Sequence, residues 1–185
     1  MRNIILAEFI SLDGVMEAPE QWHFPFIDEE IGKSMHDEIF TIEALLLGRV
    51  TYDIYAATWP ARDDGQGVAG HFNSIPKYVV STTLESAGWN NSHLIRGNVA
   101  EEIDKLKRLP GGDIVIHGSA DLANSLMREN LIDEYRLMIH PVVVGRGKRL
   151  FADDTNLPAL SLVDTKTYNT GVVVLTYVPK AGEQA

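Results

Sequence analysis

The chain has 185 residues, 45% of them hydrophobic and 23% charged, which fits one globular domain spanning residues 1–185. Its net charge of −10, from 16 Lys and Arg against 26 Asp and Glu, excludes nucleic acid and anionic membrane as natural partners, because phosphates would be repelled over most of its surface. The absence of cysteine excludes disulfides, thiolate metal sites and thiol catalysis, and no metal site is expected.

No run approaches the ~18 consecutive apolar residues of a membrane span. The apolar start Ile4-Ile5-Leu6-Ala7 is too short for a signal peptide, so a cytoplasmic location is expected. Asn3 to Ile10 is a nearly continuous apolar run that predicts a buried strand, ended by the turn Ser11-Leu12-Asp13-Gly14. Gln21 to Asp28, with Trp22, Phe24, Pro25 and Phe26, predicts an ordered loop. Asp28-Glu29-Glu30 open a helix running to about Phe40, acids in its first turn complementing the dipole. A strand over Ala44 to Leu47 stops at Gly48, and a short helix covers Thr51 to Ala57. Arg62 to Gly70 is rich in Asp and Gly and reads as a mobile surface loop.

Lys77 to Ser81 and His93 to Ile95 predict two further strands. Val99, Ile103, Leu106 and Leu109 recur at helical spacing until Pro110-Gly111-Gly112 stops them. A strand over Asp113 to His117, a turn at Gly118 and a helix over Ala120 to Arg128 follow. Strands then take over: Glu134 to His140, a Gly-rich turn, Leu160 to Lys166 and Val172 to Val178. Strand–helix alternation implies right-handed crossovers and a mainly parallel sheet with helices on both faces, while the closing strands require at least one antiparallel pair. The expected fold is therefore α/β: three layers, with a mixed, mainly parallel sheet and antiparallel C-terminal strands.

Three turns follow strands and face the same sheet edge: Gly48-Arg49-Val50-Thr51, Ser81-Thr82-Thr83 and His117-Gly118-Ser119-Ala120. Ligands of open α/β sheets bind beyond the carboxyl ends of the strands. Gly118 permits close approach of a ligand, and the next helix offers free N–H groups and a positive dipole end. Ser119 either caps that helix or donates to a phosphate oxygen. Arg49 suits bidentate phosphate binding, and the second turn supplies hydroxyls. Taken singly each is also an ordinary turn, and none matches the strict GxGxxG fingerprint. Their joint occurrence points to a phosphate-bearing cofactor.

The segments "ALLLGRVTYDIY" and "KYVVST" resemble the strand, Gly-Arg turn, short helix and next strand of dihydrofolate reductases. "GGDIVIHGSADLANSLMRENLIDEYRLMIHPVVVGRGKRLF" and "FISLDGV" are similar to the C-terminal reductase domain of the bifunctional riboflavin-biosynthesis deaminase/reductase. The resemblance runs from about Asn3 to Tyr177 and implies a dihydrofolate reductase-like fold that holds NADPH. It places the cofactor phosphates on Gly48, Arg49 and Thr51. The 2′-phosphate falls on Ser81 and Thr82, with Arg49 as the countercharge and Arg96 adding to that site. The pyrophosphate falls on Gly118, Ser119 and Ala120, and the nicotinamide under the loop of Asp13 and Gly14; His117, which departs from the family pattern, either favours a phosphate as a further cofactor contact or is a plain turn residue.

On the substrate side no acid aligns with the pterin-binding carboxylate of dihydrofolate reductase, and Asp28, Glu29 and Glu30 read as dipole-compensating. Arg146, Lys148 and Arg149 are either a phosphate contact or surface charges. Asp13 and water stand as candidate proton donors, and Trp22, Phe24 and Phe26 either wall a pocket or fill core. The expected function is NADPH-dependent hydride transfer to a small heterocyclic substrate, pterin-like or pyrimidine ribosyl-like, closer to the riboflavin-type reductase than to true dihydrofolate reductase. The expected assembly is a homodimer. The alternative is a non-catalytic nucleotide-binding or regulatory homodimer of the same fold.

Overall fold

The computed structural model describes residues 1–62, 64, 67–151 and 159–180. In chain order its elements are β1 (Ile4–Ser11), α1 (Glu29–Ile39), β2 (Ala44–Gly48), α2 (Arg49–Thr58), α3 (Val68–Ser74), β3 (Lys77–Val80), β4 (Ser92–Ile95), α4 (Val99–Arg108), β5 (Ile114–Ile116), α5 (Ala120–Arg128), β6 (Glu134–His140), β7 (Leu160–Thr167) and β8 (Val173–Pro179). The strands form one sheet in the order β4-β3-β2-β5-β1-β6-β8-β7. Every pairing from β4 across to β6 is parallel, and both β6–β8 and β8–β7 are antiparallel. This is the three-layer mixed sheet that the alternation of elements implied.

Alternation along the strands sorts the core into two faces. Ile4, Leu6, Ile10, Ala44, Leu46, Ile114 and Ile116 pack with Ile103 and Leu106 of α4 and with Leu122, Ala123, Leu126 and Met127 of α5. On the other face Ile5, Leu45, Leu47, Val79 and Val115 pack with Tyr52 of α2 and Phe72 of α3. Ile31 of α1 extends that layer over Met138, Tyr168 and Val172. Strands buried on both faces need apolar residues at every position, which explains the continuous runs.

Two elements differ from the sequence expectation. Helix α2 begins at Arg49 rather than Thr51, with Gly48 both ending β2 and capping the helix. The loop expected up to Gly70 gives way to α3 at Val68, because the Asp64 carboxylate accepts from the N–H groups of Ala69 and Gly70 and starts the helix from outside. Asp63, Gly65 and Gln66 of that loop lie outside the described residues. The aromatic loop contains two single 3-10 turns, Pro19–Gln21 and Phe24–Phe26.

The two neighbours of β1 pair with it over different lengths. β1 pairs with β5 only from Ile4 to Leu6, but with β6 from Ile5 to Ser11. Beyond Leu6, β1 therefore runs on with no strand among the described residues paired on its β5 side, next to the turn in which β5 ends.

Candidate functional site

Strands β3, β2, β5 and β1 are neighbours in the sheet and parallel, so the turns that follow β3, β2 and β5 stand side by side at one edge. Two of these turns are bolted together. The Gly48 N–H donates to Ser119 Oγ at 2.9 Å, the Ser119 N–H donates to Thr51 Oγ1 at 2.9 Å, and Ser119 Oγ–H donates to the His117 carbonyl at 3.0 Å. Ser119 thus neither caps α5 nor stands free for a phosphate; its side chain joins the β2–α2 turn to the β5–α5 turn. Gly118 (φ +56°) and Ser119 (φ +59°) are both left-handed. A Cβ on Gly118 would meet Thr51 Oγ1 at 2.8 Å, so the close approach there is to Thr51.

Neither α2 nor α5 has a side-chain cap, so the first N–H groups of two helices, one from each layer, face the edge where the turns meet. Arg49 bridges to the next turn: its Nη1 donates to Thr83 Oγ1 at 2.9 Å and its Nε to Asp53 Oδ2 at 3.3 Å, with the guanidinium half exposed. Ser81 is buried, its hydroxyl accepting from the N–H groups of Thr83 and Leu84 and so shaping the turn, while Thr82 is exposed at the tip. Arg96, just past β4, donates to the Glu85 carbonyl at 2.6 Å and ties the β3–β4 connection to the same corner. Ala120 opens α5 behind Ser119.

His117 belongs to this turn but turns its ring to the layer of α2 and α3. Tyr55 Oη lies 3.2 Å from its Nδ1, and Phe72 meets it edge-on at 6.2 Å. Burial pulls its pKa down to about 4, so the ring is neutral and supports the turn from beneath.

Asp13 holds two loops together. Its carboxylate accepts from Ser11 Oγ at 2.6 Å and from the N–H groups of Val144 and Gly145 at 3.0 and 2.8 Å. These bonds lower its pKa to about 2, the Ser11 hydroxyl contributing most. A carboxylate so held is ionised at neutral pH and has no proton to give. Around it Val15 bridges to Arg149, and Arg149 Nε donates to the Asp13 carbonyl. Lys148 pairs with Asp121 at 2.7 Å, which offsets the acid in the first turn of α5.

In the aromatic segment Trp22 and His23 are buried and Phe24 is exposed. His23 stacks on Phe9 at 5.0 Å, and the fully buried His140 at the end of β6 stands edge-on to Trp22 at 5.3 Å and to His23 at 5.9 Å. His140 Nδ1 faces the Met138 carbonyl at 3.1 Å, leaving Nε2 without a partner. Burial lowers the pKa of both histidines.

Sequence reasoning passed over Glu8. It is an acid inside the apolar run of β1, only 6% exposed, and its Oε1 has no hydrogen-bond partner. Burial raises its pKa well above the usual carboxylate value, opposed by a hydrogen bond from the Gly118 N–H. The signal was present: a lone charge within eight residues that otherwise read as buried strand. A depression of about 410 Å³ lies elsewhere, lined by Ile5, Asp37, Glu38, Thr41, Asp113, Val115 and Arg136. Its one cation, Arg136, is already paired with Glu134 and Glu38.

A family model for the RibD C-terminal domain matches residues 2–174. The "Uncharacterized protein YyaP" of Bacillus subtilis is 35% identical over 180 residues, covering 95% of this chain and 94% of its own. Among solved structures, a Shewanella sp. PV-4 protein described as a riboflavin biosynthesis protein superposes with a TM-score of 0.77 at 20% identity, covering 97% of this chain and 99% of its own. Dihydrofolate reductase from Enterococcus faecalis, complexed with NADP(H), superposes with a TM-score of 0.62 at 15% identity, covering 95% of each chain. The fold is that of the dihydrofolate reductase-like proteins.

Proposed function

The chain belongs to the RibD C-terminal domain family, and on that premise we propose that it is an NADPH-dependent reductase of a small heterocyclic substrate, pterin-like or pyrimidine ribosyl-like. The observation that carries this reading is the row of turns after β3, β2 and β5: two uncapped helix starts joined through Ser119, and the Arg49 guanidinium set against the hydroxyl turn. That row presents N–H dipoles at one point and a cation with hydroxyls at another, the two things a dinucleotide with an extra phosphate requires.

In this reading the open N–H groups at the start of α5, from Ala120 onward, take the pyrophosphate. Gly118, Ser119 and His117 fix the turn that presents them. Arg49, Thr82 and Arg96 take the 2′-phosphate, and Gly48, Thr51 and Ser81 hold the backbone that positions them. When bound, the nucleotide supplies a hydride to a C=N or C=O group. Asp13 keeps the loop after β1 closed against the Val144–Gly145 turn and so shields the site from water. The exposed β7 edge, with Leu162 and Val163 at its surface, supports assembly as a homodimer.

Titrating NADPH and NADH while following Trp fluorescence tests the reading. NADPH is expected to bind at least tenfold more tightly than NADH, and Arg49→Ala to abolish most of that preference, since one charge-assisted phosphate contact is worth about 1.5–3 kcal/mol. Absence of sub-millimolar binding by either nucleotide would end it.

A further inference from the structure

Glu8 is a carboxyl group in a place that offers it neither a countercharge nor a full set of partners. It sits on β1 two residues beyond the last one paired with β5, beside the turn in which β5 ends. From that turn the Gly118 N–H donates to it. From α2 comes the Tyr55 phenol, itself hydrogen-bonded to His117, and across β6 the neighbour in register is Leu137. Burial keeps Tyr55 protonated and His117 neutral, so no cation among these groups offsets a carboxylate. Oε1 is left unpartnered at 6% exposure.

A buried oxygen without a hydrogen-bond partner is destabilising, and such a group calls for a ligand or a role. A cation brought against this carboxyl would favour its ionisation, whereas a neutral or anionic group would leave it protonated. Of a nicotinamide dinucleotide only the nicotinamide ring changes its charge in the reaction, neutral when reduced and cationic when oxidised.

We propose that Glu8 responds to the charge of the nicotinamide ring: its neutral carboxyl accommodates the reduced ring, and its carboxylate, held by the Gly118 N–H, pairs with the oxidised ring. This rests on the dinucleotide reading above. It also provides the proton that reduction of C=N or C=O needs in addition to hydride. As positive charge develops beside Glu8, its O–H bond breaks and an N–H or O–H bond forms on the product. The new carboxylate balances the new cation, and water returns the proton after the oxidised nucleotide leaves.

Calorimetric titration of NADPH and NADP⁺ into the full chain, each in two buffers of different protonation enthalpy and at several pH values, counts the protons exchanged. Titration of the 2′-phosphate is common to both nucleotides and cancels in the comparison. NADP⁺ is expected to release up to about one proton per chain more than NADPH. Glu8→Gln is expected to erase that difference and to weaken NADP⁺ about tenfold relative to NADPH. Equal proton counts for the two nucleotides on the unaltered chain would overturn the assignment, whether or not the variant folds. If neither nucleotide binds, the dinucleotide reading fails first and this assignment with it.

Discussion

Lys77 shows how a single residue can set a pH dependence. It is fully buried on β3, its Nζ donating to the Phe72 and Asn73 carbonyls at the end of α3 and lying 4.2 Å from the centre of the Trp89 ring. Those contacts favour the cation, yet desolvation lowers its pKa from 10.5 to about 8. Between these values the unfolded chain binds more protons here than the folded one, so stability rises with pH, by up to about 3 kcal/mol across the window. Below about pH 8 the penalty is constant. Above about pH 10 the buried phenols of Tyr55 and Tyr135, held protonated, pull the other way. Urea midpoints are therefore expected to climb between pH 8 and 10, and Lys77→Met to flatten that climb. The sequence places the lysine at the start of a strand, and nothing local tells that Trp89 and α3 close over it.

At the scale of elements, the site is a joint between two strand–turn–helix units. Ser119 closes it from one side and Thr51 from the other, through two hydrogen bonds of 2.9 Å. Gly118→Ala would put a Cβ 2.8 Å from Thr51 Oγ1 at a left-handed φ of +56°, combining backbone strain with loss of the Ser119 N–H bond. A cost of about 2–4 kcal/mol is expected, visible as a fall in thermal midpoint. Ser119→Ala leaves the Gly48 N–H unpaired and should cost about 1–3 kcal/mol. In both variants NADPH affinity should fall by more than the stability loss explains, because the two helix starts no longer hold their spacing. Sequence reading placed Gly118, Ser119 and Gly48 at turns, and correctly on one edge. Their mutual bonding was not legible, since the partners are 71 positions apart.

Over the whole molecule, the charge and the exposed surface decide association. The surface of a chain with net charge −10 repels copies of itself at long range, so a dimer needs an apolar contact. β7 is mostly exposed along its length, with Leu162 51% and Val163 55% exposed at its bulge. An open edge strand of this kind favours pairing. Light scattering is expected to give twice the chain mass of 20.5 kDa, and Val163→Lys with Leu162→Lys to return the monomer value. A monomer in the unaltered protein would remove the homodimer from the proposed function and leave the proposed nucleotide binding untouched.

By itself the sequence determined the order of the elements apart from α3, the two-sided burial of the central strands and the residue types at the three strand-end turns. These properties follow from local periodicity and turn chemistry, which a chain carries within a few residues. Only the tertiary structure decided what those residues do. The sheet order places β5 between β2 and β1, which brings Ser119 to Gly48 and leaves Glu8 facing the end of a short strand. It also delivers Asp13 to the N–H groups of Val144 and Gly145, turning a candidate proton donor into an ionised clasp. The physical reason is the same in each case: protonation and hydrogen bonding depend on solvent exclusion and on partners about 70 to 130 residues away, and neither is encoded in spacing along the chain.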